Sequence, residues 1–382
     1  MNFERVYAKI DLNAIGKNVD SVRSRFMDHT MIMAVIKADA YGHGAVPVAE
    51  YLDKKVDWYG VSNIHEAIEL RHNGLNKPIL ILGATMPEEL ESVVKYGITP
   101  AVFDYERAEL ISKIAKSNNT TVNIHIKVDT GMSRIGFQTT NESIDEIIKI
   151  SKLDNIHIEG IFSHLAKADE ADKNSANEQI NIFNCFLAEL RANGIDPEIK
   201  HISNSAAIME LDAGFNMVRM GIMLYGLYPS DEMNKDYTLY PAMELVSHIT
   251  HMKELEAGRG ISYGHTYVTE KAVKIATVPV GYADGYPRCL SNKGNVLIKG
   301  KLCPIVGRIC MDQMMVDVSE TDAKIGDDVI LFGSDGQNSI SVEEVANNAY
   351  SFNYEMVCRI NRRVPRVYFD DDKYIKTVSY LI

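Results

Sequence analysis

The chain has little cysteine and no long apolar run, and its charge excess has the wrong sign for binding polyanions. Its five cysteines among 382 residues (Cys185, Cys289, Cys303, Cys310, Cys358) form an odd set without a Cys-x-x-Cys pair. That excludes a disulfide framework and a zinc ribbon, and predicts free thiols in a reducing compartment. No stretch approaches the roughly 20 apolar residues of a membrane span, and no apolar signal region follows Met1-Asn2-Phe3-Glu4-Arg5. A cytoplasmic protein without a membrane partner is expected. The formal net charge of -12 argues against a nucleic-acid partner, which would want a basic face. No metal is expected. A Gly-x-Gly-x-x-Gly turn, a long-period repeat and a low-complexity tract are also missing.

What is present is rhythm. Short apolar segments recur at 31–36, 58–62, 79–82, 99–103, 122–128, 156–163, 199–203 and 216–220. Helical patterns lie between them, such as Glu66 to Arg71 and Glu178 to Leu190. Eight strands alternating with helices over roughly 200–250 residues predict an α/β fold with an N-terminal (β/α)8 TIM-like barrel. A polar stretch, Ser230 to Asp236, then marks a change of pattern. Strands dominate beyond it, at 243–254, 272–280, 295–299, 313–318, 328–333 and 363–369, with one helix opening at Ser341 and Glu344. The reading is a barrel domain at 1–238 and a C-terminal mainly-β domain at 239–382, with the first ten or so residues pairing with the latter.

Active sites of such barrels gather at the carboxyl ends of the strands. Those ends carry Lys37 and Tyr41, then Lys127, Asp129 and Arg134, then His164, Ser203-Asn204-Ser205, and Arg219-Met220-Gly221-Ile222. Lys37 closes the buried run Met31 to Ile36, where partial desolvation lowers an amine's pKa and favours the nucleophilic form. A lone lysine there would more often snorkel to solvent, and a lone His164 would be a structural histidine. Together, a lysine, a histidine and two arginines make a cationic constellation suited to an anionic ligand with phosphate and carboxylate groups. Ser205 and Gly221 lie on the loops after strands seven and eight, the usual phosphate cradle of the fold. Arg134, in a glycine turn, could meet a carboxylate in bidentate fashion.

Several segments resemble a known family. They are Val35-Ile36-Lys37-Ala38-Asp39-Ala40-Tyr41-Gly42-His43-Gly44, Asp129-Thr130-Gly131-Met132-Ser133-Arg134-Ile135-Gly136 and Ile261-Ser262-Tyr263-Gly264-His265-Thr266-Tyr267. Further matches are Val280 to Arg288 and Gly307 to Gln313. In these motifs the chain is similar to the bacterial alanine racemases. The resemblance implies pyridoxal 5'-phosphate as cofactor, held covalently by Lys37, and interconversion of L- and D-alanine, with D-alanine going to peptidoglycan. It implies that Lys37 and Tyr263 are the two bases, one on each face of a planar carbon. Tyr263 would reach into the site of a partner subunit, so a homodimer with composite active sites is expected. The resemblance assigns the pyridine nitrogen to Arg219, supported by His164. Tyr41, Asn204, Ser205, Gly221, Ile222 and Tyr354 would bind the cofactor around its phosphate, and Arg134 with Met311 the substrate carboxylate. Tyr263 and Tyr282 would line the substrate pocket. Lys127 matches a lysine that some family members carbamylate.

The runner-up is a serine-preferring or broad small-amino-acid racemase on the same scaffold, since a tight pocket rejects one extra hydroxyl poorly. A decarboxylase would set an acidic residue where Arg219 stands. A non-catalytic cofactor-binding barrel would need neither the second domain nor Tyr263.

Overall fold

The computed structural model describes residues 5–26, 29–211 and 213–382. The expectation about a leader at Met1 to Glu4 lies outside the described residues. Two compact units emerge: Ala14–Ala40 with Ala45–Pro241, and Met1–Asn13 with Tyr41–Gly44 and Ala242–Ile382. The sequence boundary at 238/239 thus lies three residues from the structural one. The brief excursion at Tyr41–Gly44 was not foreseen. Its cause is backbone capture: Arg366 Nε donates to Gly42 O at 3.0 Å, and Tyr368 Oη donates to His43 O at 2.9 Å.

After strand β1 (Val6–Asp11), the first unit is built on eight parallel strands. These are β2 (Met31–Val35), β3 (Trp58–Val61), β4 (Ile79–Ile81), β5 (Thr99–Val102), β6 (Val122–Asp129), β7 (Ile156–Phe162), β8 (Ile199–His201) and β9 (Met217–Met220). They pair in the order β9-β2-β3-β4-β5-β6-β7-β8. The remaining seam, between β8 and β9, is bridged at two levels. Arg219 N–H donates to Ser203 O at 3.1 Å, and Lys200 N–H to Asn216 Oδ1 at 2.8 Å. The barrel is nearly closed. Met33, Trp58, Leu80, Ala101, Phe162, Ile199 and Met217 fill its interior, one from each strand except β6. The inner polar side chains of β6 are His125 and Lys127, whose head groups lie against Phe162 of that core. Helices begin where short polar side chains can cap them: Asn63 accepts from Glu66 N–H, and Asp104 from Arg107 N–H.

The second unit is mainly β. Its large sheet joins β1 to β10 (Met243–His248), β13 (Asn295–Ile298), β14 (Lys301–Pro304), β16 (Asp328–Ser334), β17 (Arg366–Asp370) and β18 (Lys373–Val378). A smaller sheet holds β11 (His251–Leu255), β12 (Val273–Val278) and β15 (Met314–Asp317). The helix expected at Ser341 runs Val342–Asn348, with Ser341 Oγ accepting from Glu344 N–H at 3.0 Å. Among the described residues no helix is long and apolar enough to cross a membrane.

Candidate active site

Lys37 leaves β2 into a turn of unusual hand. Ala38, Asp39 and Ala40 have φ of 51, 54 and 52°, the left-handed helical region that L-residues avoid. Side chains hold the turn open. Glu66 accepts from Ala38 N–H at 2.8 Å and from Ser62 N–H at 2.7 Å, while Asp39 Oδ1 accepts from Ala45 N–H at 2.8 Å. Strain held this firmly beside a half-buried lysine is a mark of a functional site.

Arg219, on β9, is buried and unusually well held. Nη1 meets His201 Nδ1 at 2.8 Å. Nη2 donates to Ser163 O and Ile202 O, both at 2.9 Å, and meets His164 Nδ1 at 3.1 Å. Among the described residues nothing accepts from Nε–H. Burial first, then Arg134, push the guanidinium down to about 9, still protonated at neutral pH. His164 is held well below its usual range by burial, then by Arg219, Arg134, Lys127 and Lys37. His164 thus lies within the electrostatic reach of all four of these cations.

Lys127 is 2 % exposed, and its Nζ donates to Val128 O at 2.6 Å. Burial, followed by Arg219, lowers its amine to about 7. Asp129 does not pair with it. Asp129 Oδ1 instead accepts from the amides of Gly131, Met132 and Ser133 at 3.0, 2.9 and 3.0 Å, shaping the loop that carries exposed Arg134. Partial burial raises the Asp129 carboxyl, but those amides and Gln138 outweigh it and hold it below the ordinary range. Ser205 Oγ accepts from Gly221 N–H at 3.0 Å, tying together the loops after β8 and β9. Asn204 Oδ1 accepts from Ala207 N–H at 3.0 Å and so caps the helix Ser205–Glu210. Ile222 opens the short helix that follows β9.

In the second unit Tyr41 and Tyr354 come together, their ring centroids 6.1 Å apart. Burial raises the Tyr41 phenol above its usual value. Tyr263 stands 70% exposed after Ser262, whose Oγ donates to Arg308 O at 2.6 Å. Tyr282 N–H donates to Cys310 O at 3.1 Å and Ala283 N–H to Met311 O at 3.0 Å. Tyr282 and Met311 thus lie on adjoining loops, and both side chains are exposed.

Two family models cover most of this chain. "Alanine racemase, N-terminal domain" matches residues 10–229, and "Alanine racemase, C-terminal domain" matches 242–368. The chain belongs to the alanine racemase family. It is 45% identical over 380 residues to alanine racemase 1 of Clostridium acetobutylicum, covering 98% of each. The solved alanine racemase of Clostridium difficile superposes with a TM-score of 0.96 at 46% identity, covering both chains fully. A Bartonella henselae alanine racemase, solved with covalently bound pyridoxal phosphate, gives a TM-score of 0.85 at 30% identity over 96% of this chain and 100% of its own. Not every site neighbour was named from the alanine racemase motifs. His201, which grips Arg219, and His125 behind it were passed over. The available signal was alternation: in a barrel strand, polar residues at the inward positions of an apolar run are anomalous.

Proposed function

We propose that this chain, a pyridoxal-phosphate-dependent racemase, interconverts L-alanine and D-alanine by a two-base route. The single observation that carries the reading is Arg219. Its Nη groups are committed to His201, His164 and two carbonyls, while Nε–H has no acceptor among the described residues. A fixed, uncommitted donor suits the lone pair of a pyridine nitrogen. When bound, the cofactor supplies electron withdrawal that acidifies the substrate's α C–H bond. Arg219 donates a hydrogen bond without surrendering its proton. That keeps the electron withdrawal moderate and favours return of a proton over other fates.

Lys37 Nζ anchors the cofactor and acts on one side of the substrate Cα; Tyr263 Oη acts on the other. One takes the α-proton and the other delivers a proton to the opposite face, which inverts the centre. Tyr41, Asn204, Ser205, Gly221, Ile222 and Tyr354 hold the cofactor and its phosphate, and Arg134 with Met311 holds the substrate carboxylate. Tyr282 and Tyr263 restrict the pocket to small side chains. Lys127, whose amine burial lowers to about 7, can take up CO2 in its neutral form, releasing a proton to solvent and leaving a carbamate with a negative charge toward Arg134. The enzyme is a homodimer in this reading, with Tyr263 completing the site of the partner subunit; its exposure leaves it available for that task. Five free thiols support a cytoplasmic location, where D-alanine would feed peptidoglycan synthesis.

The test is optical. Purified protein with added cofactor should bring L-alanine to an equal mixture of enantiomers, and Lys37→Ala should abolish both this activity and the visible absorbance of the bound cofactor. L-Alanine left unchanged by the wild type would refute the reading.

A further inference from the structure

Two buried histidines that this chemistry does not use lie behind Arg219. His201 Nδ1 faces Arg219 Nη1 at 2.8 Å, and His201 Nε2 faces His125 Nδ1 at 3.0 Å. His125 Nε2 in turn lies 3.6 Å from Glu159 Oε2, longer than a hydrogen bond, and among the described residues neither buried atom has a hydrogen-bond partner. A guanidinium can only donate, so His201 Nδ1 is an acceptor. A neutral His201 ring then carries its hydrogen on Nε2 and gives it to His125 Nδ1. That leaves the His125 hydrogen on Nε2, aimed at the Glu159 carboxylate. One residue, Arg219, therefore sets the direction of every joint. Both rings are held neutral at pH 7: burial lowers each below its ordinary value, the charge of Arg219 adds to it, and on His125 the two outweigh the opposing pull of Glu159.

The backbone is shaped to make this contact. Strands β6 and β7 pair Ile124 with Ile158 and then shift so that His125 faces Gly160. Glu159 is left as the extra residue of a β-bulge, a device that re-aims a side chain. A Cβ at Gly160 would lie 2.5–2.6 Å from the His125 ring, so glycine is required to admit it. Asn123 Nδ2 donates to Glu159 Oε1 at 2.8 Å, which leaves Oε2 for His125. Phe162 stacks on His201 at 4.8 Å and 3°, and its ring lies 5.6 Å from the Arg219 guanidinium. A barrel needing only a packed interior would fill these positions with aliphatic residues.

The geometry points to Glu159, His125 and His201 as a directed polar relay through the barrel core, two hydrogen bonds ending on a longer contact to the carboxylate, that orients Arg219 and anchors its charge. The relay keeps Nε–H presented to the cofactor ring. This rests on the reading that Arg219 meets the pyridine nitrogen. All three are positioning residues and never touch substrate.

Neutron diffraction from crystals of the deuterated holoenzyme reads the relay directly and needs no variant. Deuterium is expected on Nε2 alone in both His201 and His125; deuterium on Nδ1 of either ring overturns the proposal. Function is read with Glu159→Leu and Glu159→Gln holoenzymes. Loss of one buried acceptor should lower kcat for L-alanine by roughly 5- to 10-fold, with KM changed less than about twofold and the cofactor's visible band shifted. Glu159→Gln keeps an acceptor oxygen and should recover most of the rate. A folded Glu159→Leu enzyme with wild-type kcat and spectrum overturns the relay. Arg219→Lys separates the premise from the inference. If that variant also leaves the band unmoved, Arg219 does not meet the ring, and the proposal falls with its premise.

Discussion

Lys127 is the residue whose chemistry depends most on where the fold puts it. On a surface its amine would titrate near 10.4; buried beside Arg219 it titrates at about 7. Between those values the unfolded chain binds a proton that the native chain does not. Stability must therefore rise with pH across that window. In CO2-free buffer, urea denaturation at pH 7 and pH 9 should show wild type gaining more than Lys127→Met. Equal gains would mean that the amine is not desolvated. At this scale the sequence disclosed residues whose position in the chain is itself informative. Lys37, Arg134 and His164 follow strand ends and Arg219 lies next to the end of β9, where a barrel places its chemistry. Alternation flags His125 and His201 as polar breaks in apolar runs, but that they face inward follows only from the strand register, which also hides Glu159. A bulge at Glu159 leaves no mark in an apolar alternation.

Elements were legible in proportion to their burial. Each of the eight barrel strands lies on an apolar run, because both faces of such a strand are covered. The run at 243–254 reads as one strand, yet it is two, β10 and β11, in different sheets. Apolar residues continue through the turn at Ile249-Thr250, so composition carries no break there. Strands β14 and β18 were missed for the opposite reason: most of their residues are exposed. Within the second unit, the turn Gly281 to Gly285 is organised by Asp284, which is fully buried. Its carboxylate pairs with Arg5 and with Arg363 Nε at 3.1 Å and accepts from Gly281 N–H at 2.9 Å. Removing one partner of a buried pair leaves charge without compensation. Asp284→Ala should cost about 3 kcal/mol of stability by urea denaturation. A loss below about 1 kcal/mol would show that the arginines find water instead.

At the scale of the whole molecule, Lys37 and Arg219 belong to the barrel unit and Tyr263 to the β-rich unit. Strand β1 precedes the barrel in sequence, yet pairs with β10 and β17 of the β-rich unit. If two chains share their sites, inactive Lys37→Ala and Tyr263→Ala proteins should complement when mixed. Random reassortment gives hybrids one intact site each and roughly a quarter of wild-type activity. No recovery despite proven subunit exchange would place both bases within one chain. Two different groups serving the two faces of the substrate carbon must leave a signature in hydrogen exchange. The Tyr263→Phe holoenzyme is incubated in deuterated water with L-alanine or D-alanine, and the α-hydrogen is followed by proton NMR. Inversion should fall by at least about 100-fold, the lower range for loss of a general acid–base group, while one enantiomer alone still exchanges its α-hydrogen with retention. Equal exchange of both enantiomers, or inversion at the wild-type rate, would contradict the two-base route.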